Sequence, residues 1–120
     1  MKVLVTGGSG RIGQFVVAEL QEKVHEVRIF DVKDPNNSNA EFVKGSITES
    51  TEVEAAMKGM DSVIHLAAIP TLMKHIPAVE YMNVNVSGTF NVLEAAAGNN
   101  VGKVAIASSD SALGFVFGTH

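Results

Sequence analysis

The 120-residue sequence predicts an α/β fold with a doubly wound parallel sheet in the strand order 3-2-1-4-5, stopping before a sixth strand. Three observations predict this class. Short β-branched runs alternate with helical patterns along the chain, as where helices join parallel strands. The strand runs are apolar on both faces, which is typical of buried parallel strands. A glycine-rich segment separates the first strand from the first helix, where such folds make a tight turn.

Five short runs predict the strands, because each is apolar, rich in β-branched residues and bounded by polar or turn-forming residues. They are Lys2 to Thr6, Val27 to Asp31, Phe42-Val43, Ser62 to Leu66 and Lys103 to Ser108. In the order 3-2-1-4-5, a cleft opens beside the carboxyl ends of the first and fourth strands, where the direction of winding reverses.

Helical spacing predicts three helices. The first spans about Arg11 to Lys23, and its apolar residues recur at every fourth position: Ile12, Val16, Leu20 and Val24. The second spans Glu49 to Lys58, with Val53, Ala56 and Met57 facing inward and Gly59 as its stop. The third is long, and one face carries Val79, Met82, Val86, Phe90, Leu93 and Ala97. The segment Ala67 to Ala78 contains Pro70 and Pro77 and is predicted to be a loop.

Composition favours one domain over residues 1–120 and makes several classes of protein unfavourable. The net charge is −4 and the nine basic residues are scattered, which disfavours nucleic-acid binding. There is no Cys, so disulfides and thiolate chemistry are excluded. No apolar run approaches the roughly 18 residues of a membrane span, and the amino terminus does not resemble a secretory signal. We therefore expect a cytoplasmic protein that binds neither nucleic acid nor membrane.

The most informative motif is the segment Thr6 to Gly13, TGGSGRIG. Its glycines suit a tight turn, close approach to a pyrophosphate and close packing of helix on sheet, and the helix amino terminus favours an anion. Asp31 ends the second strand about 20 residues later, where a carboxylate accepts hydrogen bonds from a ribose diol and repels a 2′-phosphate. This favours NAD over NADP, although Lys33 and Arg11 are nearby cations. The alternative is a turn without a ligand.

Together with three later motifs, this segment resembles the extended short-chain dehydrogenases/reductases, the NAD-dependent epimerases and dehydratases that act mostly on nucleotide sugars. The later motifs are HLAA at 65–68, NVSGTFNVLEAA at 85–96 and ASSDSALG at 107–114. The resemblance implies a Rossmann-type cofactor domain. It also implies contact with the dinucleotide by these residues: Gly7, Gly10, Arg11, Ile12, Gly13, Asp31, Ser46, Ile47, Leu66, Ala67, Ala68, Asn85 and Ser108.

The resemblance also implies which catalytic groups are present. Ser109 takes the position of the hydroxyl residue that orients the substrate, five residues before Gly114. Ser46 stands where the family usually has Asp beside the adenine. The family's Tyr-x-x-x-Lys pair is missing: the only Tyr is Tyr81, Asn85 follows it four residues later, and it precedes the Ser motif. We therefore expect the amino-terminal, cofactor-binding half of a longer protein, with no turnover by the 120 residues alone.

The expected function is hydride transfer between NAD and a hydroxyl substrate, such as a sugar or nucleotide sugar, in an enzyme that forms homo-oligomers. Two alternatives stay open. One is a non-catalytic module that binds NAD(H), and the other is a structural fragment that oligomerises and binds nothing. No metal site is expected, since His25, His65, His75 and His120 lack ligand spacing. His65 is expected to be a strand residue with a satisfied hydrogen bond.

Overall fold

The sheet has the architecture that the sequence predicts. A computed structural model describes residues 1–69 and 75–108. Its strands are β1 (Lys2–Thr6), β2 (Glu26–Asp31), β3 (Glu41–Lys44), β4 (Ser62–His65) and β5 (Lys103–Ile106). All four pairings are parallel, and the order is β3-β2-β1-β4-β5. The predicted class and strand order are confirmed, and strand ends differ from the prediction by one or two residues.

Helices pack on both faces of the sheet and connect all consecutive strands except β2 and β3. They are α1 (Gly13–Glu22), α2 (Ser50–Met57), α3 (Ala78–Tyr81), a π-helical segment (Met82–Gly88) and α4 (Thr89–Gly98). Gly59, the predicted stop of the second helix, has a φ of +80° just beyond α2, which is a conformation that glycine adopts without strain. Within the described residues, no helix combines the length and the apolar character that crossing a bilayer requires.

Alternation along β1 and β2 divides the core into two layers. Val3, Val5, Val27 and Ile29 pack with Val17 of α1 on one face. Leu4, Phe30 and Val63 face the other way, toward α2 and α4. The predicted inward residues of α2 are confirmed: Val53, Ala56 and Met57 are all buried.

The apolar stripe predicted to bury α1 is only partly correct. Val16 and Leu20 are half-buried, but Ile12 and Val24 are exposed, and the fully buried positions are Gly13 and Val17. The helix also begins at Gly13 rather than Arg11 and ends at Glu22. Its first residues belong instead to the tight turn after β1, because that turn is closed by a hydrogen bond from the Gly10 N–H to the Gly7 carbonyl at 3.1 Å.

The prediction of which face of the long helix is buried is wrong. Five of its six residues are exposed large apolar side chains: Val79, Met82, Val86, Phe90 and Leu93. The sixth, Ala97, is exposed as well. The buried face carries smaller residues, namely Gly88, Val92, Ala95 and Ala96. One reason is that α4 packs on α2 and the core, where small side chains permit close approach. A second is that the wider turns of the π-helical segment change the register between the side chains of α3 and those of α4.

Candidate functional site

Apart from Asn85, which lies in the long helix, the predicted site residues that the structure describes lie in five segments at one edge of the sheet. Parallel strands end at a common edge, so the segments after β1, β2, β3, β4 and β5 converge there. The segments are 7–13, 31–33, 46–48, 66–69 and 107–108. The predicted catalytic Ser109, together with Gly114, lies outside the described residues.

The glycine turn after β1 is shaped by contacts that exclude larger side chains. Gly7 has a φ of +73°, and its N–H donates to the carbonyl of Phe30 at 3.0 Å. A Cβ on Gly7 would lie 2.7 Å from the backbone nitrogen of Ala67. A Cβ on Gly13 would overlap the carbonyl oxygen of Gly7. The turn therefore requires glycine at both positions, and it brings the segment after β4 against the segment after β1.

Asp31 joins the end of β2 to this turn. Its Oδ2 accepts the Ser9 N–H at 3.0 Å, and its Oδ1 accepts the Lys33 N–H at 3.1 Å. Each carboxylate oxygen has further lone pairs, so the side chain can still accept hydrogen bonds from a ligand. The structure thus places Asp31 beside the glycine turn, and it is only half-buried there.

A cleft of about 590 Å³ opens beside Asp31 and the turn. Its lining includes Gly10 and Arg11 from the turn after β1, Gln14 from the first turn of α1, and Lys33 from the segment after β2. Arg11 is exposed, so its cation is free to approach an anion at the helix terminus. Ser9 contributes a buried Oγ that has no hydrogen-bond partner among the described residues. The cleft therefore combines one carboxylate, two cations and a helix amino terminus.

The segment after β3 is held by its own hydrogen bonds and by α4. The hydroxyls of Ser46 and Thr48 lie 2.7 Å apart, and the Ser46 N–H donates to Oε1 of Glu52 at 3.0 Å. Ile47 is buried, and its carbonyl accepts a hydrogen bond from Nδ2 of Asn91 at 2.9 Å. The Ser46 hydroxyl, predicted beside the adenine, is thus already bonded to Thr48 within its own turn.

A chain of polar groups connects the ends of β1 and β4 to the long helix. Oγ1 of Thr6 lies 2.6 Å from Nδ1 of His65, and Nε2 of His65 lies 3.0 Å from Oγ1 of Thr89. The Thr89 hydroxyl donates to the carbonyl of Asn85 at 2.9 Å. Burial lowers the pKa of the His65 ring from its ordinary value, so the ring is neutral at pH 7. The expectation that His65 is a satisfied strand histidine is met.

Asn85 bridges the long helix to the segment after β4. The family resemblance predicts that this residue contacts the cofactor. Its Oδ1 accepts the Ile69 N–H at 2.8 Å, and its Nδ2 donates to the Ile69 carbonyl at 3.0 Å. Both ends of the amide are therefore committed to backbone. The sequence pattern alone did not identify Thr6 or Thr89 as functional residues. Two features could have indicated them: Thr6 is a polar residue in the apolar run of β1, and Thr89 follows Asn85 by one helical turn.

Some predicted residues are not brought into contact with the rest. Ile12 is exposed at the start of α1, and Ser108 is exposed after β5. Ala68 is exposed as well, whereas the Leu66 N–H bonds to Thr6 and the Leu66 backbone lies against Gly7. All of these positions lie near the common edge of the sheet by topology.

Comparison with known proteins gives a consistent result. A family model described as "NAD dependent epimerase/dehydratase family" matches residues 3–118. A UDP-glucose 4-epimerase of Rickettsia bellii is 32% identical over 92% of this chain and 37% of its own length. A 3-beta-hydroxysteroid dehydrogenase of Mycolicibacterium neoaurum is 38% identical over 92% of this chain and 32% of its own length.

Among solved structures, MoeE5 in complex with UDP-glucose and NAD superposes with a TM-score of 0.86 and 30% identity, covering 100% of this chain and 40% of that one. The chain therefore spans a little over a third of the length of the proteins it resembles.

Proposed function

Since this chain belongs to the NAD-dependent epimerase/dehydratase family, we propose that it is the NAD-binding half of an enzyme that modifies a nucleotide sugar by hydride transfer. The observation that carries the proposal is the position of Asp31, whose carboxylate is fixed to the backbone of the glycine turn and borders the 590 Å³ cleft. The similarity to a UDP-glucose 4-epimerase and to MoeE5, which was solved with UDP-glucose and NAD, supports a nucleotide sugar as the substrate.

The residues present fit a dinucleotide. At Gly7 and Gly13 a side chain would meet backbone atoms, so the turn has the close-packed form through which backbone N–H groups reach a pyrophosphate. The amino terminus of α1 supplies the positive end of the helix dipole. Arg11 adds a cation from the same turn. These groups would hold the pyrophosphate, and Asp31 would accept hydrogen bonds from the adenine-side ribose.

When bound, NAD would supply a hydride acceptor beside a sugar carbon that bears a hydroxyl, while the hydroxyl proton would need a base that the described residues do not provide. This chain would bind the cofactor and shape its environment through the small residues Ala67 and Ala68. Ser109 would orient the substrate hydroxyl. The 120 residues contain one Tyr, with Asn rather than Lys four positions later, so we propose that this chain alone binds NAD without turning over a substrate.

The test is a calorimetric titration of the purified 120-residue chain with NAD and with NADP. We expect NAD to bind and NADP to bind more weakly, because the Asp31 carboxylate repels a 2′-phosphate. Replacing Asp31 by Ala removes hydrogen bonds to a charged acceptor, which lowers affinity by roughly 10- to 100-fold. Asp34→Ala is the matched control, since Asp34 is exposed and forms only a 3.9 Å ion pair with Lys44.

Three results would contradict the proposal: no binding of either cofactor, tighter binding of NADP, or equal losses in the Asp31 and Asp34 variants. A second candidate is a non-catalytic NAD(H)-binding module, which would use the same glycine turn and Asp31. It predicts tight binding of NAD(H) by this chain and no activity after a relative's carboxyl-terminal portion is appended. The proposed enzyme predicts that such a fusion acquires epimerase or dehydrogenase activity.

A further inference from the structure

The polar chain through His65 has one arrangement of hydrogens that satisfies every member. We propose that His65 is a positioning residue for the dinucleotide site: as a neutral ring with its hydrogen on Nε2, it fixes the Thr6 hydroxyl as the acceptor that holds the Leu66–Ala67 backbone against Gly7. This inference rests on the proposed function only for its consequence, which is the geometry of the NAD site.

The arrangement follows from counting donors along the chain, beginning at a carbonyl, which only accepts. The Thr89 hydroxyl has one hydrogen and gives it to the Asn85 carbonyl. Toward His65 the same oxygen can therefore only accept, so Nε2 of His65 carries a hydrogen. In a neutral ring the other nitrogen, Nδ1, is then an acceptor, and the Thr6 hydroxyl donates to it.

With its single hydrogen directed at His65, Oγ1 of Thr6 presents its lone pairs to the backbone after β4. This oxygen accepts the Ala67 N–H at 3.2 Å. The Leu66 N–H is shared between this oxygen, at 3.1 Å, and the carbonyl oxygen of Thr6, at 3.0 Å. Ala67 is the residue whose backbone nitrogen lies 2.7 Å from where a Cβ on Gly7 would be. The state of the ring therefore bears on how closely the two segments that flank the proposed cofactor approach each other.

A second proton on the ring would break this arrangement. A hydrogen on Nδ1 would point at Oγ1 of Thr6, whose lone pairs already accept N–H groups and whose own hydrogen would lose its acceptor. Burial is what lowers the pKa of His65. Lys2 and Lys103 lie at the ends of β1 and β5 away from His65, and Glu94, the one charged residue of α4, is exposed.

The sign of the pH effect follows from that direction. Because the pKa of His65 is lower in the folded chain than its ordinary value of 6.5, the folded state favours the neutral ring. The stabilisation is complete above about pH 6.5 and is lost as the pH falls through the pKa of the folded state. Acid should thus loosen the Ala67 segment first, and with it the proposed NAD site.

The first experiment determines which ring nitrogen of His65 carries the hydrogen. Two-bond ¹H–¹⁵N correlation spectra of the ligand-free chain near pH 7.5 distinguish the two neutral tautomers by the shifts of their nitrogens. We expect the Nε2–H form for His65. A ring with its hydrogen on Nδ1, or one that is cationic at this pH, would overturn the inference whether or not the chain binds NAD.

The second experiment follows the hydrogen-exchange protection of the Ala67 N–H from about pH 7.5 down to the pH at which the nitrogen shifts of the His65 ring show that it is cationic. We expect protection to fall roughly tenfold in the wild type, the effect of losing one hydrogen bond. His65→Gln does not titrate and keeps a donor toward Thr89, so its protection should not change with pH. His25→Gln, at a histidine near the amino terminus, is the matched control and should behave as the wild type does.

The same variants in NAD titrations connect the ring to the site. NAD affinity should fall with acid in the wild type and in His25→Gln, but not in His65→Gln. Thr6→Val should lose Ala67 protection at every pH, and Thr6→Ser should restore it. Equal pH dependence of protection in the wild type and His65→Gln would refute the role of His65. Absence of NAD binding at every pH would refute the proposed function, and Ala67 protection would still decide the positioning role.

Discussion

Gly88 of the long helix packs against Ile47 in the segment after β3, and replacing it by Ala tests that contact. A Cβ on Gly88 would lie 2.6 Å from Cδ1 and 2.7 Å from Cγ1 of Ile47. Ile47 is 5% exposed, so it has little room to move. Overpacking of this kind costs about 1–3 kcal/mol of unfolding free energy. Helix propensity acts in the opposite direction, since Ala is favoured over Gly by about 1 kcal/mol.

The assay is urea unfolding followed by circular dichroism, in which a loss of this size moves the midpoint by roughly 1 M. Gly98→Ala is the matched control, because Gly98 also lies in the helical segment and a Cβ there would meet nothing within 4 Å. We expect Gly98→Ala to raise stability by up to about 1 kcal/mol and Gly88→Ala to lower it.

A double-mutant cycle isolates the contact. Ile47→Ala removes both atoms that the new Cβ would meet, so Gly88→Ala should cost less in that background than in the wild type, by about 1–3 kcal/mol. The cost of Ile47→Ala itself, about 2–5 kcal/mol, cancels in the cycle. Additive losses in the cycle would refute the reasoning, because the gain in helix propensity is the same in both backgrounds.

Two further predictions concern other close contacts. Gly13→Ala should abolish detectable NAD binding and destabilise the chain by about 1–3 kcal/mol, because its Cβ would overlap the Gly7 carbonyl oxygen; normal NAD affinity in a titration would contradict this. Arg28→Met should lower the unfolding free energy by about 1–3 kcal/mol in urea, because Nη1 of Arg28 donates at 2.8 Å to two carbonyls at the end of α2. Lys23→Met, which breaks only a 3.9 Å exposed ion pair, is its control, and equal effects would argue against the capping role.

The strands and their order could be predicted because burial on both faces leaves a simple pattern in the sequence. The run at Lys2 to Thr6 coincides with β1. The orientation of the long helix could not be predicted in the same way. Large apolar residues such as Val86 and Phe90 form a regular stripe, yet they are exposed. Periodicity identifies a helix but does not reveal which face lies against a neighbour, and here small residues make that contact.

For the site as well, some features could be predicted from the sequence and others could not. The glycine turn could be predicted because its geometry depends on residues adjacent in sequence. Asp31 could be placed beside it from strand order. The bonds of Thr6 and Thr89 could not, because they depend on the register that sets Thr6 opposite His65 and on the rotation of a helix more than twenty residues further along.

The position of β1 has a consequence for synthesis of the chain. This strand is made first, yet it lies at the centre of the sheet, and its neighbour β4 ends only at His65. At about 5–20 residues per second, the ribosome needs roughly 3–12 s to supply that neighbour. Throughout this interval Leu4 and its flanking valines lack one side of their final surroundings. During this interval, pairing with β2 is the contact within the sheet that β1 can already make.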